Sequence, residues 1–467
     1  MSNHFNQQRR KFIKMAMIGG ASTVFATQNK LNLISSALAS DYSTINDYKS
    51  LVCIYLRGGN DGFNMVVPLA SSEYSNYQKA RQSLAIPKNS LLAVANGQHG
   101  FHPSMPLTRN LYNQQQLAVV ANTGVLFRPT TLNSYRNKIS IPPDLFSHSH
   151  QMDIWQTGHA SNPSIIHPGW GGLIADRLNN ANQTNAGIPP TFTLSGTNLW
   201  QSGEATRQIG IGASGIKNFK FFSGDQEWEL SRRHAFEDIM RLNSSHPFQT
   251  QIKNITNDTR ERVVELKKAL DQSPELTSEF DTDNPLAKQL RMVAKLISVR
   301  EELGMKRQLF YVSAGSWDTH SNQITNHADL LAMLDAGIGS FQTTLQELDA
   351  MGIATTNSVT TFSASEFGRT LTSNGDGTDH GWASHYLVCG GAVQGGQIHG
   401  NIPTMEIGGA NDATGEYGTP AGRFIPEYSV DQYGATLARW LGISEPDMST
   451  IFPNLKNFSQ KDLGFMS

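Results

Sequence analysis

Only two cysteines, Cys53 and Cys389, occur in the 467 residues. That is too few for a disulfide framework, and no C-x-x-C redox pair exists. Both sit inside apolar runs, LVCIYL and HYLVCGG, which predicts buried, inert thiols; a bridge between them would need neighbouring strands of suitable geometry. The G-x-S-x-G elbow is missing, which disfavours a serine triad of the α/β-hydrolase type, and no Walker A loop is present. Long apolar runs are also missing: nothing beyond the first 39 residues approaches the roughly 18 apolar residues of a membrane span. Basic charge is scarce too. Arg9, Arg10, Lys11, Lys14 and Lys30 stand in an amino-terminal stretch with no acid, so removing that stretch moves the formal charge from −2 to −7. A mildly acidic chain lacks the basic footprint that general nucleic-acid binding requires.

What is present begins with an address. Arg9 and Arg10 in QRRKFIK, the modestly apolar MAMIGGASTVFA and the small-residue exit Ala37-Leu38-Ala39 read together as a twin-arginine export signal spanning residues 1–39. The expected partner is the twin-arginine translocase, the expected location periplasmic or secreted, and the expected mature chain, residues 40–467, has no stable membrane span. The 41 glycines and 19 prolines imply many turns. We read residues 40–467 as one α/β domain with a helical insertion around 216–305. Short apolar runs at Leu51–Leu56, Leu117–Ala121, Leu309–Ser313 and Val359–Ser363 have the look of strands buried on both faces. Leu286–Leu303 and His327–Met351 carry apolar residues at near-3.6 spacing. The order strand, helix, strand from Leu309 to Ser363 makes a βαβ unit, and a parallel sheet follows.

Carboxylates and imidazoles follow several of these strands at once. Asp61 stands in RGGNDG after the first run; Asp318 and His320 follow QLFYVSAG; Glu366 follows SVTTFSAS; Asp379 and His380 precede HYLVCGG. In an open α/β sheet, side chains just beyond the carboxyl ends of strands converge on one crevice. Clustered carboxylates repel unless a cation or proton neutralises them, so the pattern predicts a site for divalent metal. Asp61 reads equally as a turn aspartate, since Asn-Asp-Gly is strong turn chemistry. Asp318 and His320, two apart on an extended segment, can point the same way as a ligand pair. Asp379 offers a ligand or a carboxylate that orients an imidazole, Arg369 steadies a substrate anion or neutralises Glu366, and His385 belongs to the core or a supporting layer. Mixed oxygen and nitrogen donors suit zinc, manganese or iron better than magnesium or calcium. The segment Ser147-His148-Ser149 opens a predicted helix, where a hydroxyl lies at the positive end of the dipole. Ser147 or Ser149 is then either a nucleophile activated by nearby metal or an N-cap.

RGGNDGFNMVVP, FSHSHQMDIWQTG, SWDTHSNQ, SEFGRT and DHGWASHYLVCGG, in that order after the export signal, resemble the bacterial family known as domain of unknown function 1501. That family is similar to the alkaline-phosphatase-like superfamily of phosphatases, sulfatases and phosphomutases. The resemblance spans essentially all of residues 40–467. It implies a doubly wound, mostly parallel sheet with helices on both faces, one or two divalent metal ions, and a small anionic ester substrate. It implies further that Asp61 is the carboxylate after the first strand, that Asp318 and His320 form a metal pair completed by His380, and that Ser147 or Ser149 attacks with His148 beside it. One departure is visible: Glu366-Phe367 stands where many of those enzymes carry Asp-His, one imidazole fewer for a second ion. The reading is an exported metal-dependent hydrolase of phosphate or sulfate esters. Its alternative is a non-catalytic periplasmic binding or assembly protein that keeps the fold.

Overall fold

Strand β1 (Lys49–Leu56) alternates its side chains between two different cores. Val52, Ile54 and Leu56 enter an aliphatic cluster with Leu290, Val293, Leu334 and Phe341, while Tyr55 meets Trp155 and Tyr311 on the opposite face. A strand covered on both faces needs no polar side, which is why it reads as a continuous apolar run. In this computed structural model the described residues are 41–160, 165–216, 225–242, 246–353, 356–413 and 419–467. The predicted export signal lies outside them. Residues 43–467 form one compact unit.

Among the described residues, nine strands make the central sheet. In chain order they are β1, β2 (Leu117–Gly124), β3 (Thr191–Thr193), β4 (Ile209–Gly210), β5 (Arg307–Ala314), β6 (Val359–Ala364), β7 (Ser384–Cys389), β8 (Ile398–His399) and β9 (Tyr428–Ser429). Their spatial order is β8-β2-β7-β6-β1-β5-β3-β4, with β9 also on β2. Every described pairing in this sheet is parallel except the two made by β7, which runs antiparallel to both β2 and β6. Cys53 on β1 and Cys389 on β7 are separated by β6 and are both free and buried; burial raises both thiol pKa values, so the thiols are inert.

The helices that matter here are α1 (Ser71–Arg81), α2 (Pro106–Asn113), α3 (His148–Thr157), α4 (Trp170–Leu178), α5 (Glu227–Arg241), α6 (Pro247–Leu270), α7 (Pro285–Ser298), α8 (Gln323–Ala350) and α9 (Val430–Leu441). Helix α7 starts where Asn284 accepts hydrogen bonds from the Leu286 and Ala287 amides at 2.9 and 3.0 Å, with Pro285 in its first turn. Its face Leu286, Leu290, Val293 and Ile297 is fully buried against α8 and β5. On the other side of the sheet Trp170, Trp200, Phe362 and Tyr433 make an aromatic layer. Helices therefore cover both faces, and the mostly parallel α/β architecture is as the sequence pattern predicts. Helices α5 and α6 bury little: α5 buries no residue, and α6 buries only Leu266 and Ala269, which join the core at its carboxyl end.

Candidate metal centre

The parallel strands β1, β5 and β6 end on one rim, and their next residues deliver Asp61, Asp318 with His320, and Glu366 with Arg369. Because β7 runs the other way, its beginning lies on that same rim, which is how Asp379 and His380 join. Two glycines after β1 allow the close approach. Gly58 has φ +125°, and a Cβ there would lie 2.4 Å from the Asp318 backbone nitrogen; Gly59 has φ +90°, and its Cβ would lie 2.5 Å from the Phe367 ring.

Three imidazoles turn toward one carboxylate. His148 Nδ1 donates to Glu366 Oε1 at 2.9 Å and sets Nε2 3.3 Å from Asp318 Oδ2. His380 Nδ1 donates to the Phe146 carbonyl at 2.7 Å and sets Nε2 3.2 Å from Asp318 Oδ1. His320 Nδ1 lies 3.3 Å from Asp379 Oδ1, and its Nε2 is 3.0 Å from both Asp318 Oδ1 and His380 Nε2. Donor atoms of His148, Asp318 and His380 all fall within 4.8 Å of one another. A neutral imidazole whose Nδ1 carries the proton keeps its lone pair on Nε2, so electron pairs face one another across this gap. An acceptor behind each ring is the arrangement by which metal-ligating histidines are oriented. The donor set of imidazole nitrogens and one carboxylate therefore fits a borderline cation such as zinc.

Electrostatics around the trio follow from these partners. The Glu366 hydrogen bond, ahead of the opposing effect of partial burial, raises the His148 pKa. Burial lowers that of His380 and favours its neutral form. Burial works against the Asp318 charge, yet the hydrogen bond and charge of Arg369 outweigh it and hold the Asp318 carboxyl below its usual range. Phe367 is the floor, with ring centroids 4.8 Å from His148 and 4.7 Å from His380.

Several predicted residues take other places. Asp61 is fully buried; its Oδ1 pairs with Arg81 Nη2 at 2.5 Å and its Oδ2 accepts from Gln323 Nε2 at 2.5 Å. Glu366 stands behind His148: its Oε1 also accepts the Gly58 amide at 2.8 Å, and its Oε2 is buried without a hydrogen-bond partner. Arg369 is fully buried and places four of its five N–H donors within the protein: on Asp318 Oδ1 at 2.5 Å, the Gly58 carbonyl, the Thr378 hydroxyl and the Thr378 carbonyl. That geometry serves Asp318, and it leaves no guanidinium face turned to a substrate anion. Asp379 takes the orienting position behind His320. His385 is core: it is fully buried, its Nδ1 accepts from the Asn122 amide at 3.1 Å, and burial lowers its pKa to about 4. Ser147 occupies the N-cap of α3, but its hydroxyl makes no capping bond and lies 3.3 Å from Ser149 Oγ. Ser149 is exposed and lines a neighbouring cleft of about 390 Å³ with His159, His167 and Leu199.

Comparison with known proteins decides the family. The profile described as "Protein of unknown function (DUF1501)" matches residues 48–414. The chain belongs to the DUF1501 family. No curated protein matches it. Among solved structures it is similar to the PsFucS1 sulfatase from Pseudoalteromonas sp., at 10% identity and TM-score 0.36, over 96% of this chain and 76% of that one. It is similar also to BT1596, a 2-O GAG sulfatase, at 11% identity and TM-score 0.32, over 87% and 75%. A mutant of the alkaline phosphatase PafA gives 9% identity and TM-score 0.25, over 70% and 64%. The side chains of this DUF1501 member, and not these likenesses, carry the functional reading.

Arg81 and Gln323 are absent from the sequence reading. Arg81 closes an ordinary-looking helix, SSEYSNYQKAR, whose charged end resembles a solvated face, and nothing local marks it as buried. Gln323 precedes the apolar periodicity of α8.

Proposed function

We propose that this chain is an exported metal-dependent hydrolase of phosphate or sulfate esters. The observation that carries the reading is the set of three imidazoles, His148, His320 and His380, each backed at Nδ1 and turned by Nε2 to Asp318. His148, Asp318 and His380 would hold the ion, with His320 beside them. A bound divalent ion supplies Lewis acidity and makes an adjacent oxygen a better nucleophile at neutral pH. The protein's own part is orientation: Glu366, Asp379 and the Phe146 carbonyl aim the rings, Arg369 pins Asp318, and Phe367 keeps water from the rings' undersides. Ser147, at the amino end of α3 and free of capping, supports the attacking role, because a developing oxyanion there meets the positive end of the helix dipole. The ion set matches zinc, manganese or iron, and a small anionic ester matches a cationic centre.

The test is turnover of aryl phosphate and aryl sulfate by protein recovered from the periplasmic fraction, with and without chelator, alongside Ser147→Ala and Ser149→Ala. Metal-dependent turnover lost in Ser147→Ala and kept in Ser149→Ala is the expected outcome. Loss of roughly 10²-fold or more fits removal of an activated nucleophile. One observation favours a second reading, a binding or assembly protein that keeps the fold: Arg369 is fully buried and engages four of its five N–H donors within the protein. Stoichiometric metal without turnover of either ester would establish it.

A further inference from the structure

We propose that this centre holds a single divalent ion, and that Arg81 is a built-in cation occupying the electrostatic role of a second ion at Asp61. The proposal rests on the metal-centre reading above and assigns the charges around it.

The crevice gathers three carboxylates from the ends of three strands, and each needs a counter-charge. Asp318 faces the imidazole trio and Arg369. Glu366 Oε1 meets His148. Asp61 meets Arg81, with both side chains fully shielded from solvent. A carboxylate that ligates an ion must direct an oxygen lone pair at it, and both oxygens of Asp61 are already engaged by donors of the protein, with its charge neutralised by Arg81. Oδ1 takes the Arg81 guanidinium at 2.5 Å and the Asn64 amide at 3.3 Å. Oδ2 takes the Gln323 amide nitrogen at 2.5 Å. That amide is itself fixed: Gln323 Oε1 accepts from the Thr378 hydroxyl at 2.6 Å, and Thr378 Oγ1 accepts from Arg369 Nε at 3.2 Å. Turning the Gln323 amide over would set its carbonyl oxygen against Asp61. Arg81 is held on its other side by the Thr370 carbonyl at 3.1 Å. A hydrogen-bonded chain thus runs from Arg81 through Asp61, Gln323, Thr378 and Arg369 to Asp318. Arg81 neutralises its far end with a charge that chelator cannot remove, so the exchangeable metal is confined to the near end.

The experiment is metal stoichiometry by inductively coupled plasma mass spectrometry on the full-length exported protein, reloaded with zinc and freed of excess by dialysis. One ion per chain is expected in the wild type and again in Asp61→Asn, while Asp318→Asn and His380→Ala fall to a small fraction of one. Should Asp61→Asn fail to fold, the double variant Asp61→Asn/Arg81→Met, which removes both buried charges together, carries the same expectation. Two ions in the wild type, or loss of the ion in Asp61→Asn or in the double variant with circular dichroism unchanged, overturns the proposal and leaves the metal centre standing. A wild type that retains no ion overturns the metal-centre reading itself and this proposal with it.

Discussion

At the scale of single residues the Glu366–His148 pair decides how the centre behaves. In the metal-free protein the hydrogen bond to Glu366 raises the His148 pKa, so a proton occupies His148 up to a higher pH than in a free imidazole. Its stabilising effect is present at low pH and is lost as pH rises through that folded-state value, and from there the ion can take the proton's place. Metal affinity should therefore increase with pH through the His148 titration. Glu366→Gln keeps an acceptor for the ring but removes the charge behind it, and should weaken zinc binding by about 10- to 100-fold. Isothermal titration of both proteins between pH 6 and 8 checks this; equal affinities would show that Glu366 does not act through His148.

At the scale of elements, hydrophobic period located nearly every strand and helix that frames the centre, while tertiary contacts moved the ends. Helix α8 begins at Gln323 and not at His327, because Asn322 adopts φ +48° and the loop at Asp376 accepts the Gln323 amide at 3.0 Å and the Asn322 amide at 2.6 Å. Those contacts place Gln323 against Asp61. Helix α9 carries a separate consequence. Burial raises the Asp431 pKa to about 7, against hydrogen bonds from the Asn454 amide and side chain that favour its charge. The folded state then holds a proton that the unfolded chain releases near pH 4. The sign is that of a raised pKa: the contribution is full below about pH 4 and declines as pH rises to about 7. Asp431→Asn removes that loss, so the stability difference between wild type and variant should shift in the variant's favour from pH 5 to pH 8. Urea unfolding at the two pH values measures it, and a constant difference would contradict a protonated Asp431.

At the scale of the whole molecule, one centre joins residues spread from Gly58 to His380. A cation bound only by the folded chain stabilises it by mass action, about 2.7 kcal/mol at a free concentration of about 100 times Kd. The thermal midpoint should rise with added zinc and fall on chelation in the wild type, and respond to neither in Asp318→Asn. A wild-type midpoint indifferent to zinc would show that the centre does not bind it when folded. Among the described residues no helix is long and apolar enough to cross a membrane, and the export proposal continues to rest on Arg9, Arg10 and the residues around them.

The order of strands and helices, the burial of both cysteines and the presence of acidic and imidazole groups at strand ends were legible in the sequence, because apolar period and turn chemistry are local properties. The parts played by those groups were not. Whether Asp61 met a metal or a guanidinium depended on Arg81, which lies 20 residues away and reads as a surface charge. Whether Arg369 faced a substrate or Asp318, and whether Glu366 held an ion or a histidine, depended on which side chains the rim brought within about 3 Å. Hydrogen-bond directions are set by three-dimensional neighbours, and only the folded sheet, with β7 reversed among parallel strands, put those neighbours together.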